Sequence, residues 1–187
     1  MSGGYFFGYG SLVNTATHSF AEAHPAQLKG WRRMWRKTTM RQAAYLTVVP
    51  DSEAEIDGLI AEVPHGDWEA LDERERAYAR VDAAHQVSHP LPAMPAIVVY
   101  AIEDGRHGTP DRQSPVLLSY IDVVVQGYLH NFGEAGVQRF FDTTGVGTPQ
   151  WWMIATHRFI RDINPYQQMN TCSSMTCLPA SEPYANR

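Results

Sequence analysis

The spacing of apolar residues changes character midway along this chain. Up to Val63 they follow the period of two that belongs to strands, and from Asp67 they follow the 3.6 period of a helix. Residues 5–9 are crowded with aromatics and end in Gly8, Gly10 and Ser11, which predicts a short buried strand leading into a turn. A brief helix is expected over residues 15–23. Residues 28–38 and 44–49 then read as a hairpin, and residues 56–63 as a further strand closed by Pro64.

Asp67 is a suitable helix cap, and Trp68, Leu71, Glu75 and Tyr78 recur at helical spacing, so a helix is predicted over residues 67–80. Strand character returns at 85–87 and 96–102, on either side of a link containing Pro90, Pro92 and Pro95. Pro115 stands at a predicted helix start, with an apolar run over 116–129. An amphipathic helix follows over 134–143, its inner face formed by Val137, Phe140 and Phe141. The pattern is irregular after Gly145 and Gly147, and a polar, extended tail is expected from about residue 164. Strands and helices mix without the regular alternation of a doubly wound sheet, which points to an α+β domain around a compact mixed sheet or barrel.

At 187 residues the chain can bury one core and is read as a single domain, 1–187. Hydrophobic residues make up 44% and charged residues 19%, the balance of a soluble globular protein rather than a disordered or membrane-embedded one. The longest apolar stretches, such as 96–102, fall far short of the roughly 20 residues that span a bilayer. The first residues form no signal sequence, so a cytoplasmic location is expected. Cys172 and Cys177 have no partner pair at a spacing suited to zinc or to a disulfide framework. A net charge of −5 offers no global attraction to nucleic acid or anionic lipid. Residues 29–37 are the local exception, interleaving bases with aromatics as single-strand grooves do. In a strand, Trp31, Arg33 and Trp35 would share one face and Arg32, Met34 and Arg36 the other. A solvated strand with its arginines reaching to water is the favoured reading.

Glu75 is the most informative residue. It occupies a position on the apolar stripe that periodicity would give to Leu or Ile, while Glu69, Asp72, Glu73 and Arg76 fall outward. An inward carboxylate is costly unless partnered, and desolvation raises its pKa toward the range a general acid/base needs. Periodicity alone leaves two readings open: a catalytic carboxylate, or a structural one paired with a buried Arg. The second feature is Gly8-Tyr9-Gly10-Ser11 at a strand end, where glycines let backbone N–H groups face an anion. Val13 excludes a dinucleotide fingerprint, no Gly-Lys-Ser/Thr is present for a Walker loop, and Ser11 lacks the flanking glycines of a nucleophile elbow. His85 and His89 lie in strand-like sequence where a spacing of four does not join them on one helix face, so no metal site is expected.

These residues together resemble the γ-glutamylcyclotransferase-like (AIG2-like) family, whose members open with an aromatic strand and a Tyr-Gly-Ser-Leu or Tyr-Gly-Ser-Asn loop. Here that loop is Tyr9-Gly10-Ser11-Leu12. Gly30-Trp31-Arg32-Arg33, the strand from Tyr45 to Pro50, Asp57-Gly58-Leu59-Ile60, and Leu71-Asp72-Glu73-Arg74-Glu75 with Tyr78 follow in the family's order. Ser119-Tyr120-Ile121-Asp122 is similar to a bacterial branch, from which the segment Arg161-Asp162-Ile163-Asn164-Pro165-Tyr166 departs. The resemblance implies a small mixed β-barrel flanked by helices, with no metal or organic cofactor. It also implies Glu75 as catalytic acid/base, with Tyr9, Gly10, Ser11, Leu12 and Tyr78 forming the substrate pocket. The implied reaction releases 5-oxoproline from a small-molecule γ-glutamyl amide. The alternative is a non-catalytic ligand-binding or interaction domain of the same fold; neither nucleic acid nor membrane is an expected partner.

Overall fold

The computed structural model describes residues 4–20, 22–103, 105–145 and 154–155. In chain order the strands are β1 (Tyr5–Gly8), β2 (His24–Thr38), β3 (Tyr45–Glu62), β4 (Ala79–Asp82), β5 (Val87–Ser88), β6 (Ile97–Ala101), β7 (His107–Gly108), β8 (Val116–Leu117), β9 (Thr144–Gly145) and β10 (Ile154–Ala155). The helices are α1 (Trp68–Arg74) and α2 (Leu118–Asp142). The residues beyond 155, including the tail expected from about 164 and both cysteines, lie outside the described residues.

One long hairpin frames the molecule. β2 runs antiparallel to β3 from His24↔Ile60 to Arg36↔Tyr45, with one irregularity between Lys29 and Trp31. There Gly30 adopts a φ of +79°, which a residue with a Cβ resists. Residues 51–54 bulge opposite Gly30 without leaving the sheet, so the strands expected separately at 44–49 and 56–63 are one strand. Strand pairing overrides the turn-like composition of Asp51 and Ser52.

β1 takes the central position, antiparallel to β3 and parallel to β6, in the order β4-β6-β1-β3-β2-β5. The mixed sheet curls into a half-barrel with helices beside it, which bears out the α+β expectation. Alternation divides its residues between two apolar layers. Tyr5, Phe7 and Tyr9 join Leu28, Leu46, Ile60 and Val99 in the larger one. Phe6 turns the other way, toward Ala61, Val63, Leu71 and Tyr100 under α1. Val124, Tyr128 and Phe140 of α2 are fully buried in the larger layer, each contributing about 1.5–3 kcal/mol by leaving water.

Three helical expectations need correction. Residues 15–23 contain only a 3-10 turn, Thr15–Thr17, capped by the Asn14 side chain. α1 stops at Arg74 rather than Arg80, because residues 79–82 pair with β6 and that pairing outweighs the helical spacing that runs to Tyr78. α2 begins at Leu118 rather than Pro115, because Val116 and Leu117 pair in parallel with Ile154 and Ala155. The division expected between helices at 116–129 and 134–143 is present as a kink at Gly133, whose φ is +67° and ψ −171°, within α2. Phe140 is buried as expected, whereas Phe141 is 50% exposed. Among the described residues, no helix is long and apolar enough to cross a membrane.

Candidate active site

The end of β1 is held by α2. Ser11–Val13 form a 3-10 turn, with Val13 N–H donating to Gly10 O and Asn14 N–H to Ser11 O, both at 3.0 Å. Two asparagines tie this turn to the helix. Asn14 Nδ2 donates to Val123 O at 2.9 Å, and Asn131 Nδ2 donates to Val13 O at 3.0 Å. Gly127 permits the approach, since a Cβ there would stand 2.6 Å from Asn14 N. The amides of Ser11 and Leu12 therefore lead a turn whose position is fixed from behind.

Glu75 reaches the same place by a different route than periodicity implied. It is the C-cap of α1, with φ −97° and ψ 24°, and its N–H still donates to Leu71 O at 2.9 Å. The next turn is closed by Tyr78 N–H donating to Glu75 O at 2.7 Å. The carboxylate thus projects from a helix end rather than from a helical stripe. Arg74 Nε donates to its Oε1 at 3.2 Å, so the structure also contains the ion pair that was the rival reading of this residue. Burial nevertheless holds the Glu75 carboxyl above its ordinary value of 4.5, with Arg74 and then Arg41 pulling the other way.

Tyr9, Gly10, Ser11, Leu12, Glu75 and Tyr78, the six residues singled out from the sequence, line one cleft of about 330 Å³, open solvent included. The cleft is also lined by Leu46, Tyr100 and Tyr120, which sequence reasoning did not assign to it. Among the described residues, Glu75 is its one carboxylate. Its tyrosines are engaged: Tyr9 Oη donates to Tyr100 O at 2.6 Å, Tyr78 Oη to Leu46 O at 2.9 Å, and Tyr100 Oη to Asp72 Oδ1 at 2.6 Å. Burial first, then neighbouring groups, raises the pKa of Tyr9 and Tyr78 well above the ordinary phenol range, so both stay protonated. Gly10 is tight against Tyr120, whose Oη would lie 2.9 Å from a Cβ at that position. Among the described residues no group of three His, Cys, Asp or Glu side chains gathers to hold a metal.

Arg33 lies elsewhere. Trp31, Arg33 and Trp35 do share one face, but that face is the interior, and Arg33 is fully buried rather than solvated. Its Nη1 donates to Asp57 O at 2.8 Å and to Tyr128 Oη at 2.7 Å, and its Nε donates to Thr144 Oγ1 at 3.1 Å. The guanidinium packs over the rings of Phe140 and Tyr128, 5.0 and 5.3 Å from their centroids. A buried cation can be tolerated when its N–H groups are used in this way. Trp31 and Trp35 are turned into the core and present no stacking surface.

A family model described as gamma-glutamyl cyclotransferase, AIG2-like matches residues 6–136. Solved structures share the fold at low identity. One described as a gamma-glutamyl cyclotransferase has a TM-score of 0.58 at 13% identity, over 79% of this chain and 92% of its own. An uncharacterized protein from Homo sapiens has a TM-score of 0.61 at 11% identity, over 90% and 98%. YkqA from Bacillus subtilis has a TM-score of 0.56 at 16% identity, over 74% and 52%. No curated protein sequence matches the chain.

Proposed function

Because the chain belongs to the gamma-glutamyl cyclotransferase, AIG2-like family, we propose that it is an enzyme releasing 5-oxoproline from a small γ-glutamyl amide. The observation that carries this reading is the cleft itself, which a half-buried carboxylate with a raised pKa lines together with the Gly10–Leu12 backbone turn.

The substrate presents an α-ammonium group. Glu75 takes one proton from it, and the freed amine attacks the γ-carbonyl of its own chain, forming a C–N bond and a five-membered ring. Ring closure draws on proximity already present in the molecule, which is why one carboxylate suffices. The amides around Gly10, Ser11 and Leu12 would hold the developing oxyanion or the α-carboxylate. As the intermediate collapses, Glu75 returns its proton to the departing nitrogen and the original amide bond breaks. The remaining extra proton of the ring nitrogen leaves with the amine, which is an ammonium ion at neutral pH. Tyr9 and Tyr78, protonated and already hydrogen-bonded, act as walls rather than as acids.

The test is 5-oxoproline release from γ-glutamyl amino acids, γ-glutamyl amines and glutathione, with wild type compared to Glu75→Gln. Turnover by wild type that falls by about 10²–10⁴-fold or more in the variant supports the reading. Silence across the whole panel would instead support a ligand-binding domain of the same fold.

A further inference from the structure

The tip of the β2–β3 hairpin brings a cation beside the cleft. Arg41 lies in the loop between these strands, and its guanidinium packs over the rings of Tyr45 and Tyr78, 4.8 and 5.9 Å from their centroids. Both rings belong to the architecture of the site. Tyr78 lines the cleft, and Tyr45 packs edge-on against Tyr120, another lining residue, with centroids 5.0 Å apart. Two flanking aromatic faces orient a planar cation while leaving its N–H edge available.

Arg41 and Arg74 differ in what they do with their charge. Arg74 holds Glu75, whereas among the described residues no carboxylate lies within the 4.0 Å of an ion pair with Arg41. Arg41 is still close enough for its field to act on Glu75 and Tyr78. In the proposed reaction Glu75 must reach the leaving nitrogen. The amine portion of the substrate therefore passes on the Glu75 and Tyr78 side of the cleft, which is the side Arg41 occupies.

We infer that Arg41 reads a carboxylate on the leaving amine, so that the enzyme takes γ-glutamyl amino acids or peptides in preference to γ-glutamyl derivatives of uncharged amines. This rests on the cyclotransferase reading and adds a substrate class to it. A carboxylate on the carbon next to the leaving nitrogen is a planar acceptor, and guanidinium is the side chain best shaped to hold one. The group released would then be an amino acid or a shortened peptide.

The experiment compares γ-glutamylalanine with γ-glutamylalaninamide, which replaces the carboxylate by a carboxamide of similar size. Wild type is expected to favour the carboxylate by about tenfold or more in kcat/KM, the scale of one charge-assisted hydrogen bond. In Arg41→Gln that ratio should fall to about one, while Arg41→Lys should keep part of it. A ratio near one in wild type, or an unchanged ratio in Arg41→Gln, overturns the inference and leaves the cyclotransferase reading standing. If neither compound yields 5-oxoproline, that reading fails, and calorimetric binding of the same pair decides. Tighter binding of the carboxylate that is lost in Arg41→Gln supports the inference; equal binding, or none, overturns it.

Discussion

Arg33 Nη1 donates to the Tyr128 hydroxyl at 2.7 Å, and neither side chain touches water. Burial pushes the Tyr128 phenol up to about 12, so it remains a neutral partner to the cation. The same hydroxyl lies 2.7 Å from Asp57 O and 3.1 Å from Tyr9 O, the carbonyl that precedes the Gly10–Leu12 turn. One phenol therefore connects a buried cation, the hairpin and the floor of the cleft.

Tyr128→Phe keeps the ring and removes that connection. Arg33 loses one acceptor, and the carbonyls of Tyr9 and Asp57 share one donor fewer. The variant should unfold more easily by about 1–3 kcal/mol, the cost of leaving buried polar groups short of partners. Urea unfolding followed by tryptophan fluorescence would measure it.

Glu75 should make stability depend on pH in an unusual direction. Its folded pKa is raised, so the folded protein holds this proton more tightly than the unfolded chain does. The resulting stability is fully present below the unfolded value of about 4.5 and is lost as pH rises through the folded value. Glu75→Gln stays neutral at every pH. Its stability relative to wild type should increase with pH from about 4.5 upward and then level off. Thermal melts of both proteins across pH 4 to 8 would show a widening gap; a gap that narrows with pH would contradict the raised value.

The acid limb of kcat/KM reports the free enzyme's base. With Glu75 as that base, activity should rise with pH through a midpoint above the ordinary glutamate value of 4.5. Arg74→Met removes the largest influence that lowers this pKa, so the limb should move to higher pH. A limb unmoved by the substitution would exclude Glu75 as the titrating group.

Gly127→Ala should be disproportionately harmful for one methyl group. The added carbon would stand 2.6 and 2.8 Å from Asn14 N and Cα, backbone atoms that cannot rotate away. Separating α2 from the turn should lower stability by about 1–3 kcal/mol. It should also reduce turnover at temperatures where the variant is folded, because the Gly10–Leu12 turn loses its backing. Circular dichroism and 5-oxoproline release, measured on the same sample, separate the two effects.

Much of the fold was legible because it rests on local patterns. Aromatic crowding identified β1, and alternation in β2 identified the shared face of Trp31, Arg33 and Trp35, though not that the face is interior. The sign of a face depends on what packs against it, and α2 lies about 100 residues further on. Glu75 was legible as an inward charge, but the helix supposed to carry it ends one residue before it. Residues 79 and 80 were expected to end that helix and instead open a strand, because β6 offers them an edge. Leu46, Tyr100 and Tyr120 reach the cleft from elements far apart in sequence, and no local spacing announces such a meeting. The asparagine ties to α2 are likewise visible only once the chain is folded.

β1 precedes every other described strand in the chain, yet it lies inside the sheet, between β6 and β3. On a ribosome the segment leading into the Tyr9–Leu12 loop emerges before its partners and must wait for β3, then for β6 at residues 97–101, before both of its edges are covered. The backing from Gly127 and Asn131 arrives later still. The cleft is thus begun at β1 and completed only with α2, and a nascent chain stopped near residue 95 would carry the loop, Glu75 and Tyr78 without the strand that brings Tyr100 to them.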